Sequence, residues 1–206
     1  ILSLLKSQNE VGVYGATYKV IDVLTSLPFM FAGLILPLLT AAWAGGRPEE
    51  FNRILKRSFD ALLILALPLI VGAELTAGPL MVLVAGENFA ASGQILKILI
   101  LAIGFIFAGC LAAHAVIALD KQKQIIGAYL FTALTALAGY LVFIPLYSYY
   151  GAAWVTVYSE FAIAAFSFYI VVKYSGFRPN LAVWLKPLAA SLVMGLAVYF
   201  LLDKIN

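Results

Sequence analysis

Charge is scarce in this chain. Of 206 residues, 11% are Asp, Glu, Lys or Arg, while 64% are hydrophobic. A soluble domain carries about 25% charged and about 45–50% apolar residues. With so little polar side chain to cover a water-facing surface, and a mean hydropathy of +1.03, the composition is that of an integral membrane protein. Cysteine is nearly absent as well. Cys110 stands alone in an apolar run, which excludes a disulfide within the chain and a cysteine metal cluster. Histidine occurs once, at His114, with no second His, Cys or acidic partner to make a metal site, so no metal and no cofactor is expected. No Walker-type loop, G-x-S-x-G or H-E-x-x-H pattern occurs, and with them go the ATPase and hydrolase chemistries those motifs carry. A basic n-region with a small-residue cleavage site is also missing, so no signal peptide is visible. The chain begins at Ile1, and both of its ends read as cuts through a longer protein.

What the sequence does have is long apolar runs. A helix needs about 20 apolar residues to cross a bilayer core of about 30 Å. Residues 11–44 exceed that length, carry Pro28 and Pro37, and hold only Lys19 and Asp22 as charges. Further spans are expected at 61–85, 95–119, 125–146, 152–172 and 181–202, with 1–5 as the tail of a partial one. Between the first two, Pro48 suits a helix start, Glu49 and Glu50 complement its dipole, and Phe51, Ile54 and Leu55 recur at helical spacing. Residues 48–57 therefore read as a short amphipathic helix lying on the membrane surface. In the 86–94 break, Asn88 or Ser92 is expected to cap the following helix. Runs rich in Val and Ile also occur in buried strands, but runs of this length with so few charges do not. The expected fold is an all-α, polytopic transmembrane helix bundle of six full spans and a partial one.

The net charge of +3 reflects where the basic residues sit rather than an affinity for nucleic acid. If successive loops alternate sides, Arg47, Arg53, Lys56, Arg57, Lys121, Lys123, Lys173 and Arg178 all fall on one side, and Lys6 and Lys204 on the other. Short loops rich in Lys and Arg stay cytoplasmic. Loops 45–60, 120–124 and 173–180 are thus expected in the cytoplasm, with 6–10 facing outward.

Three stretches resemble a known family. VGVYGATYKVIDVLTSLP followed by LILPLLT is similar to the eighth-helix region of bacterial polysaccharide flippases of the multidrug/oligosaccharidyl-lipid/polysaccharide exporter superfamily. GENFAASGQILKILIL resembles that family's polar turn and following helix, and IPLYSYYGAAWVTVYSE its stretch between late helices. The blocks occur in family order and cover nearly the whole chain. The resemblance implies two six-helix lobes around a cavity, with this chain as the C-terminal lobe and an N-terminal lobe missing. It implies flipping of a polyprenyl-pyrophosphate-linked oligosaccharide across the bacterial inner membrane by alternating access. Proton or sodium coupling belongs to that picture, with membrane lipids and the missing lobe as partners. Two alternatives share the superfamily: a cation-coupled drug exporter and a lipid II flippase. A membrane-embedded glycosyltransferase or polymerase needs a sizeable external loop, and here those loops have about nine residues or fewer.

Ionisable groups inside a span are costly and mark candidate sites. Lys19 and Asp22 share a helix face and can pair. Facing a cavity, Lys19 would meet a phosphate or sugar; the competing reading is an interfacial salt bridge. Glu160 lies nine residues past Gly151, about 14 Å along a helix, as a proton or cation site, a hydrogen-bond acceptor for a sugar, or a partnered glutamate between packed helices. Glu74, about 21 Å beyond Asp60, reads as an outer-gate residue or an interfacial one. His114 reads as a cavity residue or a satisfied polar group. Pro28, Pro37, Gly78 and Pro79 are hinge candidates. Small residues four apart, such as Ala108/Ala112, Gly109/Ala113 and Thr135/Gly139, mark close helix contacts.

Overall fold

Inside a bilayer every peptide N–H and C=O must be bonded within the protein, so apolar runs of this length fold as helices. The computed structural model describes residues 2–179 and 182–205, with the backbone alone for 182–184 and 202–205. Its elements are α1 (Leu2–Leu5), α2 (Gln8–Ala44), α3 (Pro48–Ala85), a 3₁₀ turn (Glu87–Phe89), α4 (Ser92–Ala118), α5 (Gln122–Ser175) and α6 (Ala182–Ile205). No strand occurs among the described residues. Helices α2 to α5 are each long and apolar enough to cross a membrane, by length and composition. The fold is an all-α bundle of a membrane protein.

Helix α4 is the hub. In its most apolar stretch 61% of residues are buried, against 17–22% in α2, α3 and α5. It packs on all three of those helices, and α6 packs on α3. Residues such as Leu34, Leu83, Leu134 and Leu196 point outward from the surrounding helices. An exterior this apolar matches lipid rather than water. The hydroxyls of Thr40, Thr76, Thr132 and Ser191 donate back to carbonyls four residues earlier in their own helices. That bond lets a polar side chain sit in an apolar helix without a partner elsewhere. Small residues open close contacts at two of the expected places: a Cβ on Gly109 would lie 3.0 Å from that of Ala164, and one on Gly139 3.1 Å from the Val155 side chain.

Helix α5 is a hairpin of two limbs. Its backbone leaves helical geometry at Ser148 (φ 52°, ψ −133°). Hydrogen bonds then join Tyr129 to Ser167, Thr135 to Tyr158 and Tyr140 to Thr156 across the limbs. The sum of the two residue numbers stays nearly constant, the signature of antiparallel limbs. Gly151 is required here, because a Cβ at that position would overlap the Phe143 carbonyl.

Two local expectations differ from the structure. Residues 48–57 do not form a separate surface helix, because α3 runs unbroken from Pro48 to Ala85. Its stripe of Phe51, Leu55, Ser58, Phe59 and Leu62 is buried, with Phe59 stacked on Phe168 at 4.8 Å and near Phe177 at 5.5 Å. Protein core covers that face, so no headgroup layer is needed to do so. Nor does Ser92 cap α4: it is the first residue of that helix, and its Oγ donates to the Val13 carbonyl at 2.8 Å. The hydroxyl serves the contact with α2 instead of the helix start.

The loops segregate by end. At one end, Glu10 accepts from Ser148, Lys6 Nζ donates to the Pro145 carbonyl at 3.2 Å, and Gly12 lies beside Phe89. The start of α2, the turn after α3 and the α5 turn thus meet there. At the other end, Asn52 Nδ2 donates to the Ser175 carbonyl at 2.8 Å and Lys121 lies over the Tyr174 ring. Asn52, Lys121 and Ser175 come from the three basic stretches 45–60, 120–124 and 173–180.

Candidate functional site

Polar chemistry inside the bundle gathers where α2 meets the α5 hairpin. Tyr14 and Tyr18 lie one turn apart on one face of α2, with ring centroids 4.9 Å apart. Both hydroxyls reach Thr156 Oγ1 at 3.3 Å, and the Tyr140 hydroxyl reaches the same atom at 3.0 Å. Thr156 itself donates to the Ala152 carbonyl at 3.1 Å. A threonine hydroxyl holds one proton and two lone pairs. Once it donates to Ala152, it can accept from only two of the three tyrosines at a time. The third O–H is then left for another acceptor, and the tyrosine oxygens keep unfilled lone pairs. These groups border a cavity of about 250 Å³ lined by Leu2, Tyr14, Tyr18, Tyr140, Ile144 and Ala152. Glu160 follows Thr156 by one helical turn, about 6 Å along the axis. It is half-buried, with no ion-pair partner among the described residues. Uncharged donors and acceptors beside a carboxylate can bind water, a sugar hydroxyl or a cation, or pass a proton.

The ionisable candidates do not converge. Lys19 is exposed and lines a cleft of about 560 Å³ between α2 and α3, walled by Val23, Leu24, Pro68, Leu69 and Thr76. Asp22 is also exposed, and no ion pair joins it to Lys19; among the described residues the one ion pair is Arg47–Glu50 at 2.6 Å. Glu74 borders a different cleft, among Ile70, Leu75, Leu101, Leu192 and Tyr199. His114 is half-buried, and its Nδ1 donates to the Cys110 carbonyl of its own helix at 2.8 Å. That bond satisfies one ring nitrogen. No group of three or more His, Cys, Asp or Glu gathers among the described residues. Of the hinge candidates, Pro28 is buried in α2 and Pro37 is exposed on it. Gly78 is a contact point, because a Cβ on Gly93 of α4 would lie 2.9 Å from its Cα. Pro79, next to it, is exposed.

Tyr14, Tyr18, Tyr140 and Thr156 were not singled out in the sequence, although two signals for them exist there. YGATY sets two tyrosines four apart on one helix face. Tyr140 and Thr156 are nearly equidistant from the 147–149 reversal, so a hairpin puts them opposite each other.

The three family-like stretches meet in space at this end of the bundle. Thr17 Oγ1 of the first donates to the Ser92 carbonyl of the second at 3.2 Å. Tyr14, Tyr18 and Glu10 of α2 bond Thr156 and Ser148 in the third. No family model matches the chain, and no curated protein matches it.

Proposed function

We propose that this chain is the C-terminal lobe of a flippase of the multidrug/oligosaccharidyl-lipid/polysaccharide exporter superfamily. In this reading it moves a polyprenyl-pyrophosphate-linked oligosaccharide across the bacterial inner membrane and is not an enzyme. The two limbs of α5 count as separate crossings and α6 as the last, making six with α2, α3 and α4. The observation that carries the reading is that the first family-like stretch bonds both of the others, the second through Thr17 and Ser92 and the third at the Thr156 hydroxyl cluster. Uncharged hydroxyls suit a sugar, whose own hydroxyls both donate and accept. Lys19, in its separate cleft, is the cation offered to the pyrophosphate. Movement would come from rocking this lobe against an N-terminal partner lobe. Glu160, beside the hydroxyls, is the group offered to a coupling proton or sodium ion.

Complementation of a flippase-deficient bacterial strain tests the reading. Lys19→Ala and Glu160→Ala should each lower surface polysaccharide at least about tenfold at unchanged protein level, a rise of about 1.4 kcal/mol in a transport barrier. Unchanged surface glycan in both variants would remove these residues from transport. Failure of the unaltered gene to complement any such strain would remove the flippase reading itself.

A further inference from the structure

At the basic end of the bundle, Lys121 follows α4 and Lys173 lies in the last turn of α5. The fold brings both ammonium groups to one aromatic ring. Lys121 Nζ is 4.9 Å from the Tyr174 ring centroid and Lys173 Nζ is 5.5 Å from the same centroid. Lys173 Nζ also lies 5.7 Å from the Tyr169 ring. Two like charges held around one ring repel each other, and the ring's negative face compensates only in part. No carboxylate neutralises them among the described residues: the one ion pair there is Arg47–Glu50, and Asp120 Oδ1 is engaged by Gln122 Nε2 at 3.1 Å. The arrangement sets two ammonium groups on one ring with no ion-pair partner among the described residues.

Its position says which anion. One turn before Lys173, toward the apolar part of α5, Tyr169 is 61% exposed, and Val172, next to Lys173, is 44% exposed. An open apolar wall therefore leads directly up to the two ammoniums. A free phosphate would use only the charged half of such a site, whereas a phospholipid uses both. We propose that Lys121, Lys173 and Tyr174 bind the phosphate headgroup of an anionic phospholipid whose acyl chains lie along Tyr169 and Val172. Basic groups at a membrane surface attract anionic lipid; here two of them, one from the turn before α5 and one from its last turn, are set on one ring to form a defined site.

The test titrates phosphatidylglycerol against phosphatidylcholine on the purified protein in neutral detergent, with retained lipid read by native mass spectrometry. Phosphatidylglycerol should be retained in preference. Lys121→Gln and Lys173→Gln should each weaken its retention about fivefold. Arg53→Gln with Arg57→Gln, which removes two exposed cations from the same end, should leave retention in place. Tyr174→Leu keeps both lysines and removes the ring that gathers them, so it should weaken retention too. Should either lysine variant fail to fold by circular dichroism, the other lysine variant and Tyr174→Leu carry the test. Equal retention in the lysine variants and the unaltered protein would overturn the site. So would an equal loss in the arginine variant, which would mean general charge attraction, or displacement of the lipid by inorganic phosphate, which would mean that the acyl wall contributes nothing.

Discussion

At the scale of single residues, Thr156 is the atom-level junction of the bundle. Three tyrosine hydroxyls from α2 and the first limb of α5 reach its Oγ1, and replacing that oxygen leaves all three without it. Hydrogen bonds between helices in membranes are each worth about 0.6 kcal/mol and at most about 1.7. Thr156→Val, which keeps the shape, should therefore destabilise the protein by about 1–2 kcal/mol, read as a shift of the unfolding midpoint in detergent. Tyr18→Phe removes a single bond and should lose about a third as much. Equal effects would mean that the tyrosines do not share the threonine. Lys19 differs in kind: its side chain is exposed in a cleft and bonds nothing among the described residues, so Lys19→Ala should leave stability unchanged and act, if anywhere, on transport.

At the scale of elements, the α5 hairpin depends on backbone approach. Gly151→Ala must push the Phe143 carbonyl aside or open the turn, and a loss of about 3 kcal/mol or more is expected, as for other backbone clashes in packed cores. Gly127→Ala in the same helix meets nothing within 4 Å, so it should be neutral or stabilise by up to about 1 kcal/mol through helix propensity. Thermal melts should fall for Gly151→Ala and hold or rise for Gly127→Ala. The turn is also latched to the start of α2 through Glu10, which lies partly exposed outside the apolar stretch. Hydrogen bonds from Ser148 first, then Ser7, hold its carboxyl below the usual glutamate value of 4.5. A lowered pKa in the folded state means that the latch contributes fully above about pH 4.5 and is lost as pH falls through the folded value. Protection factors for amide exchange in residues 146–151 should fall on acidification below pH 4.5, and Glu10→Gln should abolish that pH dependence. The same latch explains why α2 begins where it does. Ser7 and Glu10 form a reciprocal capping box, with Glu10 N–H donating to Ser7 Oγ at 3.4 Å and Ser7 N–H to Glu10 Oε2 at 3.1 Å.

At the scale of the whole molecule, Gly45 and Glu87 lie at opposite ends of the bundle, which supplies the topological test. In a Cys110→Ala background, Gly45→Cys should resist a membrane-impermeant thiol reagent in intact cells, and Glu87→Cys should react; the reverse pattern would invert the orientation. Much of this level was legible in the sequence, because crossing a bilayer is close to a one-dimensional problem. The lengths of apolar runs, the polar breaks at 45–60, 86–94, 120–124 and 147–151, and the sidedness of Lys and Arg all follow from composition along the chain. Helix faces were less legible. The stripe beginning at Phe51 looked like a membrane-surface face because periodicity reveals that a face is apolar without revealing what covers it, and Phe168 and Phe177 cover part of it. Lys19 and Asp22 share a face, yet no ion pair joins them, since exposed charges three apart gain too little to fix two flexible side chains. By itself, then, the sequence determined an all-α membrane protein, the breaks between its helices and the gathering of its basic residues into three loops. Only the tertiary structure decided that three tyrosines meet one threonine and that Lys121 and Lys173 share the ring of Tyr174. The physical reason is range. Hydropathy and loop charge are properties of neighbours in sequence, whereas Tyr14 and Thr156 are 142 residues apart, and only packing around α4 sets which helix faces meet.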